Sequence, residues 1–178
     1  TAVAVEMDSD CVATLRHNRT WPVLDRDVHD VSSRELMAVG RFKEGEVHLL
    51  AGGPPCQPFS KSGYWANGDA GRLDDPRAST LEAFLRVLRD LKPKAFLLEN
   101  VAGLAYQRKN EGIQLLRDTI ESINRECGTS YSISEALLKA SAYGVPQERE
   151  RVFLIGHRDG RPFDFPPPTH SPRQNPIL

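Results

Sequence analysis

The sequence is poor in the residues that usually announce a site. It has three cysteines, Cys11, Cys56 and Cys127, an odd number with wide spacing and no CxxC pair. That argues against a disulfide framework or a structural zinc site and points to a reducing compartment. The five histidines form no HxxxH or HxE spacing, so no metal is expected. No apolar run approaches the roughly 20 residues of a membrane-spanning helix, and no membrane partner is expected. The N-terminus has no basic region and no signal-peptide pattern. Charge almost cancels, 23 basic against 24 acidic residues for a net −1, so bulk charge gives no support for a nucleic-acid partner. Arginines do crowd locally at Arg149, Arg151, Arg158 and Arg161, a pattern that by itself reads as a solvated surface. No internal repeat is present.

What remains is a soluble, globular composition, 39% hydrophobic and 26% charged over 178 residues, enough for one core-bearing domain. Apolar runs predict strands over 3–6, 22–24, 47–51, 95–98, 131–138 and 151–155. Helical spacing predicts helices over 9–18, capped by Asp8 or Ser9, and over 78–91 and 111–126, with one or two turns within 33–39. Leu81, Phe84, Leu85 and Leu88 mark one helix face, and Ile113, Leu116, Ile120 and Ile123 another. Residues 61–77 hold three glycines without sustained periodicity and read as a long loop. After Arg161 the chain turns proline-rich and extended, which sets a domain over 1–162 and an exit segment over 163–178. Alternating strands and helices give an α/β class with a doubly wound, mainly parallel sheet. Ligands bind such sheets at the carboxyl ends of their strands. Glu6, Cys56 and Glu99 all fall at or just after such an end and should open onto one edge.

Cys56 lies in GGPPCQPFSKSG, residues 52–63. Pro54, Pro55 and Pro58 fix their own φ and push the preceding residues toward extended geometry, so the segment should be stiff. Stiffness suits a positioned nucleophile or a buried turn cysteine. Glu99 follows the apolar run AFLL, so burial should raise its pKa and suit it to donate a proton; the alternative is a capping or ion-paired acid. Gln147, Arg149 and Arg151 alternate with acids and on a strand would share one face. Two guanidinium groups there suit a phosphate or a carbonyl oxygen, or else a salt-bridged edge strand. Glu6 is placed to take ribose hydroxyls, and Asp27 stands in the turn after the next strand.

Taken together these segments resemble the cytosine-C5 DNA methyltransferases. GGPPCQPFSKSG resembles the family's nucleophile motif, ENV at 99–101 its Glu-Asn-Val motif, and QERER at 147–151 its Gln-x-Arg-x-Arg motif. VEMDSDCVATLRHN resembles the segment carrying the ribose-binding acid, RDV at 26–28 the acid that meets adenine, and FPPPTHS the exit toward target recognition. The resemblance covers nearly the whole chain, in the family's order. It implies that Cys56 adds to C6 of cytosine, that Glu99 holds N3 and the exocyclic amine, and that Arg151 contacts O2 with Arg149 supporting the pocket. It implies S-adenosylmethionine as methyl donor, with Glu6 on its ribose, Asp27 and Val28 near its adenine, and Leu81 and Pro55 lining the pocket. Met7 stands where the family commonly has an aromatic residue, so stacking there should differ. Double-stranded DNA is the implied partner, with the base flipped out of the stack. Gln57, Ser60, Lys61, Ser62, Asn100 and Gln147 would face that DNA, and 61–73 would form a lid over it that is mobile without DNA. The implied setting is a bacterial cytoplasm and nucleoid, in restriction-modification.

Two departures accompany the resemblance. The family's first strand with its Phe-x-Gly-x-Gly loop does not appear in these residues, nor does its target-recognition domain. The expectation is therefore part of a longer, split or permuted methyltransferase, completed by another segment or a second polypeptide. The 178 residues alone are expected to bind the cofactor poorly and not to methylate DNA. An RNA cytosine methyltransferase of the same fold, and a catalytically silent scaffold, remain alternatives. Zinc-dependent deamination is excluded because Phe59 stands where a second cysteine is needed.

Overall fold

Strands and helices alternate along the described residues, 2–54, 78–101 and 111–170, of the computed structural model. β1 (Ala4–Glu6), α1 (Ser9–Asn18) and β2 (Val23–Asp25) form a right-sized crossover unit, followed by a 3₁₀ turn (Val28–Asp30) and α2 (Ser33–Gly40). β3 (Leu49–Gly52), α3 (Ala78–Leu91) and β4 (Ala95–Val101) form a second unit. α4 (Glu111–Cys127), β5 (Ser134–Lys139), a 3₁₀ turn (Ala140–Tyr143) and β6 (Glu150–His157) complete the described residues.

Local chemistry explains the boundaries. Asp8, not Ser9, caps α1, its Oδ1 accepting from the amides of Asp10 and Cys11 at 3.0 and 2.9 Å. Those amides hold the Asp8 carboxyl below its ordinary pKa. Ser32 caps α2 by accepting from the amide of Glu35, and the helix ends where Arg41 turns left-handed at φ 55°. The apolar faces foreseen for α3 and α4 pack against alternate residues of the central strands. Phe84, Leu88, Ile113, Leu116, Phe96, Leu98, Val152 and Leu154 belong to one buried cluster. Each such side chain contributes about 1.5–3 kcal/mol on burial. Phe96 is its hub, edge-to-face with Phe84 at 6.4 Å and with Tyr131 at 5.8 Å.

The sheet is mixed, not mainly parallel. β1 pairs with β2 and β3 with β4 in parallel, but β6 is antiparallel to both β4 and β5, giving the order β3-β4-β6-β5. The reason lies between β5 and β6, where a 3₁₀ turn and a few residues replace the helix that a parallel return requires. β1–β2 and the four-stranded sheet share no ladder among the described residues. They are joined instead through one apolar cluster that holds Val3, Val5, Leu24, Leu36, Leu50, Val87 and Leu91. Among the described residues β3 has no strand partner on that edge, and Leu49 is 53% exposed.

The proline-rich segment is docked along the molecule as far as His170. The amide of Phe163 donates to Ser134 Oγ, Tyr143 Oη donates to the carbonyl of Pro166, and the amides of Thr169 and His170 both donate to the carbonyl of Ala142.

Candidate active site

Glu99 does not follow a strand; it is the fifth residue of β4. Leu98 and Asn100 point into the core, so Glu99 takes the opposite, open face. In the β4–β6 ladder Val101 lies opposite Arg151, which makes Arg151 the diagonal neighbour of Glu99 on that face. The reversal of β6 is what brings this about, because it puts the start of β6 beside the end of β4. Arg151 Nε stands 2.9 Å from Glu99 Oε1. Arg151 Nη1 donates to the carbonyl of Glu150 at 2.8 Å. Nη2 is left without a partner among the described residues. The desolvated acid expected at Glu99 is not found: its side chain is 35% exposed and ion-paired.

The same strand end grips the backbone at Gly53 and Pro54, which leads to Cys56. A Cβ on Gly53 would stand 3.3 Å from Glu99 Oε2, so the carboxylate rests over a backbone that only glycine leaves bare. Asn100 is 5% exposed; its Nδ2 donates to the carbonyl of Pro54 at 3.0 Å and its Oδ1 accepts from the amide of Val101 at 2.8 Å. Asn100 therefore does not face outward toward DNA as expected, because both ends of its amide are spent on backbone. Pro55, Cys56, Gln57, Ser60, Lys61 and Ser62, and the lid segment 61–73, lie outside the described residues.

Gln147 and Arg149 are not on a strand with Arg151. Pro146 lacks an amide for a ladder, and two tight turns follow, the amide of Gln147 donating to Val145 and that of Arg149 to Gln147, at 2.7 and 2.9 Å. β6 starts only at Glu150, and both side chains are exposed. The arginine crowd is likewise divided. Arg158 sits at the far end of β6, donating to the carbonyls of Lys92 and Gly45 at 2.6 and 3.2 Å.

At the other sheet, Glu6 ends β1. Its Oε1 accepts from the amides of Met7 and Asp8 at 2.8 and 3.0 Å, which fixes the carboxylate and leaves Oε2 without a partner among the described residues. Met7 beside it is 67% exposed. Asp27 caps the 3₁₀ turn, its Oδ1 accepting from the amide of His29 at 2.9 Å and facing the His29 ring. That amide, followed by the imidazole, holds the Asp27 carboxyl below its usual range. Val28 begins the same turn. Leu81 is buried within the main core cluster.

Sequence reading overlooked a network behind Asp27. Arg86 of α3 reaches the carbonyls of Val28 and Val31, and Ser33 joins it to Asp90. In sequence Arg86 falls with Glu82, Arg89 and Asp90 on the polar side of α3, where a cation reads as solvated and gives no signal. Among the described residues no cluster of histidine, cysteine and acidic side chains could hold a metal ion, and no helix is long and apolar enough to cross a membrane.

Comparison with known proteins gives this geometry a family. The profile of the C-5 cytosine-specific DNA methylases matches residues 1–176. The type II methyltransferase M.AquIA of Picosynechococcus is 38% identical over 175 residues, covering 97% of this chain and 68% of that protein. M.SacI of Streptomyces achromogenes is 41% identical over 174 residues, covering 96% of this chain but 42% of the relative. Among solved structures, one described as a DNA modification methyltransferase encoded within a prophage (E. coli) superposes with a TM-score of 0.65 at 30% identity, over 88% of this chain and 39% of that one. The S. pombe Dnmt2 methyltransferase superposes at 0.61 with 19% identity, over 89% of this chain and 42% of its own, a likeness of fold.

Proposed function

Because the chain belongs to the C-5 cytosine-specific DNA methylase family, we propose that it forms the cytosine pocket and part of the cofactor site of a DNA cytosine-5-methyltransferase. The observation that carries this reading is the Glu99–Arg151 pair, aimed from the open sheet face over Gly53.

The chemistry follows from what cytosine lacks. Its C5 is a weak nucleophile until C6 is attacked. Cys56 Sγ, as thiolate, forms a bond to C6, and electron density moves to N3 and C5. Glu99, as a carboxylate, accepts from the exocyclic amine and from N3 once N3 has taken up a proton from solvent, and so stabilises the protonated ring as the thiolate adds. Arg151 orients that carboxylate through Nε, while Nη2, without a partner among the described residues, donates to O2, which stabilises the same developing charge. S-adenosylmethionine, when bound, supplies the electrophilic methyl that C5 takes up. A base then removes the C5 proton, and the C6–Sγ bond breaks to restore both ring and thiolate. Asn100 holds the Pro54 end of the nucleophile segment, a positioning role. Arg149 and Gln147, exposed on the turn before β6, suit contacts to the pocket rim or an adjacent phosphate.

The donor set at the β1–β2 end fits the nucleoside half of that cofactor. Glu6 Oε2 is an open acceptor for a ribose hydroxyl, Met7 offers an exposed thioether to the adenine face, and Asp27 and Val28 stand in the following turn. The mixed sheet is completed as a doubly wound one when a further strand enters beside β1 and the edge of β3 that has no strand partner among the described residues, from this polypeptide or another. Residues 1–162 are then a catalytic unit and 163–178 the exit toward target recognition.

Transfer of labelled methyl groups by the intact protein tests the reading. Duplex DNA should yield 5-methylcytosine and tRNA none; label in tRNA alone would favour the RNA enzyme instead, and label in neither, with tight cofactor binding, the silent scaffold.

A further inference from the structure

We propose that Arg86 is a positioning residue for the adenine end of the cofactor site, acting through the turn that carries Asp27 and Val28. The inference rests on the reading that this turn meets adenine. β2 is only three residues long, and the turn after it has two backbone hydrogen bonds of its own, Asp30 to Asp27 and Val31 to Val28 at 3.1 and 3.4 Å, beside the Asp27 cap on the amide of His29. Such a segment does not hold its shape alone.

Its support comes from α3, more than fifty residues away. Arg86 Nη2 donates to the carbonyls of Val28 and Val31, both at 3.0 Å. Nη1 points to Ser33 Oγ at 3.4 Å, and that buried hydroxyl donates to Asp90 Oδ2 at 2.6 Å. Arg86 and Asp90 are one helical turn apart, so one face of α3 grips the backbone from Val28 to Ser33. A guanidinium can serve two carbonyls at once because its donors are fixed in a planar fork; an ammonium cannot hold the same geometry. The same helix also abuts the other half of the site. Phe84 Cδ2 would stand 2.8 Å from a Cβ on Gly52, the last residue of β3 and the first of the segment that carries Cys56. α3 thus registers the turn bearing Asp27 against the strand that leads to Cys56.

The test uses the intact protein with Arg86→Met, which keeps the aliphatic stem, Arg86→Lys, and Asp27→Ala. Without cofactor, hydrogen exchange at the amides of residues 28–31 should speed up about tenfold in Arg86→Met. Exchange in α3 should not change. Calorimetric Kd for S-adenosylhomocysteine should weaken about tenfold, with KM for the cofactor rising equally and kcat at saturation within twofold. Arg86→Lys should recover part of both losses. A Kd within twofold of wild type in Arg86→Met, or faster exchange throughout the protein, overturns the proposal. If Asp27→Ala weakens binding and Arg86→Met does not, this proposal alone fails. If Asp27→Ala leaves Kd unchanged, the adenine reading fails and this proposal with it.

Discussion

Asn100 offers the sharpest quantitative check on how the pocket is built. Its side chain is 5% exposed, and its Nδ2 is the described partner of a buried carbonyl, that of Pro54, at 3.0 Å. Asn100→Ala removes that bond and leaves the carbonyl unsatisfied, a loss of about 1–3 kcal/mol. For a chain of 178 residues each kcal/mol lowers Tm by about 2–4 °C, so the variant should melt roughly 2–12 °C lower. Asn100→Asp is nearly isosteric but puts a carboxylate oxygen against the carbonyl, and near pH 8 it should be the less stable of the two. Burial raises the pKa of the new acid in the folded state above its unfolded value of about 3.9. Its folded form then binds the extra proton more readily, so relative stability returns as pH falls, where the protonated acid can donate to Pro54. Thermal or urea unfolding of both variants from pH 8 to pH 4.5 reads this directly. An Asn100→Asp protein as stable as wild type at pH 8, or a gap from Asn100→Ala that ignores pH, would refute the account of Asn100 as the clamp on Pro54.

Two further outcomes follow from the same geometry. Gly53→Ala brings a methyl to 3.3 Å from Glu99 Oε2; the carboxylate can swing away, so stability should drop by less than about 1 kcal/mol. Single-turnover methylation should nonetheless fall about 10–100-fold, because a small displacement of the group is enough. Burial, the dominant cause, pushes the Tyr131 phenol above its ordinary pKa, and its hydroxyl donates to the carbonyl of Pro93. The folded state therefore keeps this proton where the unfolded chain, at about pH 10, releases it. The contribution is whole below that pH and declines as pH rises beyond it, so wild type should lose more Tm than Tyr131→Phe between pH 9 and 11.

Much of this was legible in sequence, for identifiable reasons. Helix faces such as Leu81, Phe84, Leu85 and Leu88 repeat at the helical period, and each of the expected strands is present with ends shifted by a few residues. Strand direction was not legible, because alternation of side chains is the same whichever way a strand runs. That is why β6 was expected in a mainly parallel sheet, and why the approach of Arg151 to Glu99 is explained only by the ladder. Placing Gln147 and Arg149 on one face with Arg151 overlooked Pro146, whose missing amide delays the strand to Glu150. The Asn100 role was hidden because its partner is a backbone carbonyl 46 positions earlier. Arg86 carried no signal, because it falls with Glu82, Arg89 and Asp90 on the polar side of α3 and its acceptors are again backbone atoms that no side-chain pattern encodes.

The central claim is that Cys56 attacks C6 of a cytosine held by Glu99 and Arg151. Incubating the intact protein with S-adenosylmethionine and duplex DNA containing 5-fluorocytosine at its target site tests it most directly, because fluorine at C5 blocks the final elimination. Intact-mass analysis should show one covalent protein–DNA adduct, mapped to Cys56, absent in Cys56→Ser and formed far more slowly in Glu99→Gln. A protein that methylates cytosine yet forms no adduct, or an adduct that persists in Cys56→Ser, would contradict the account.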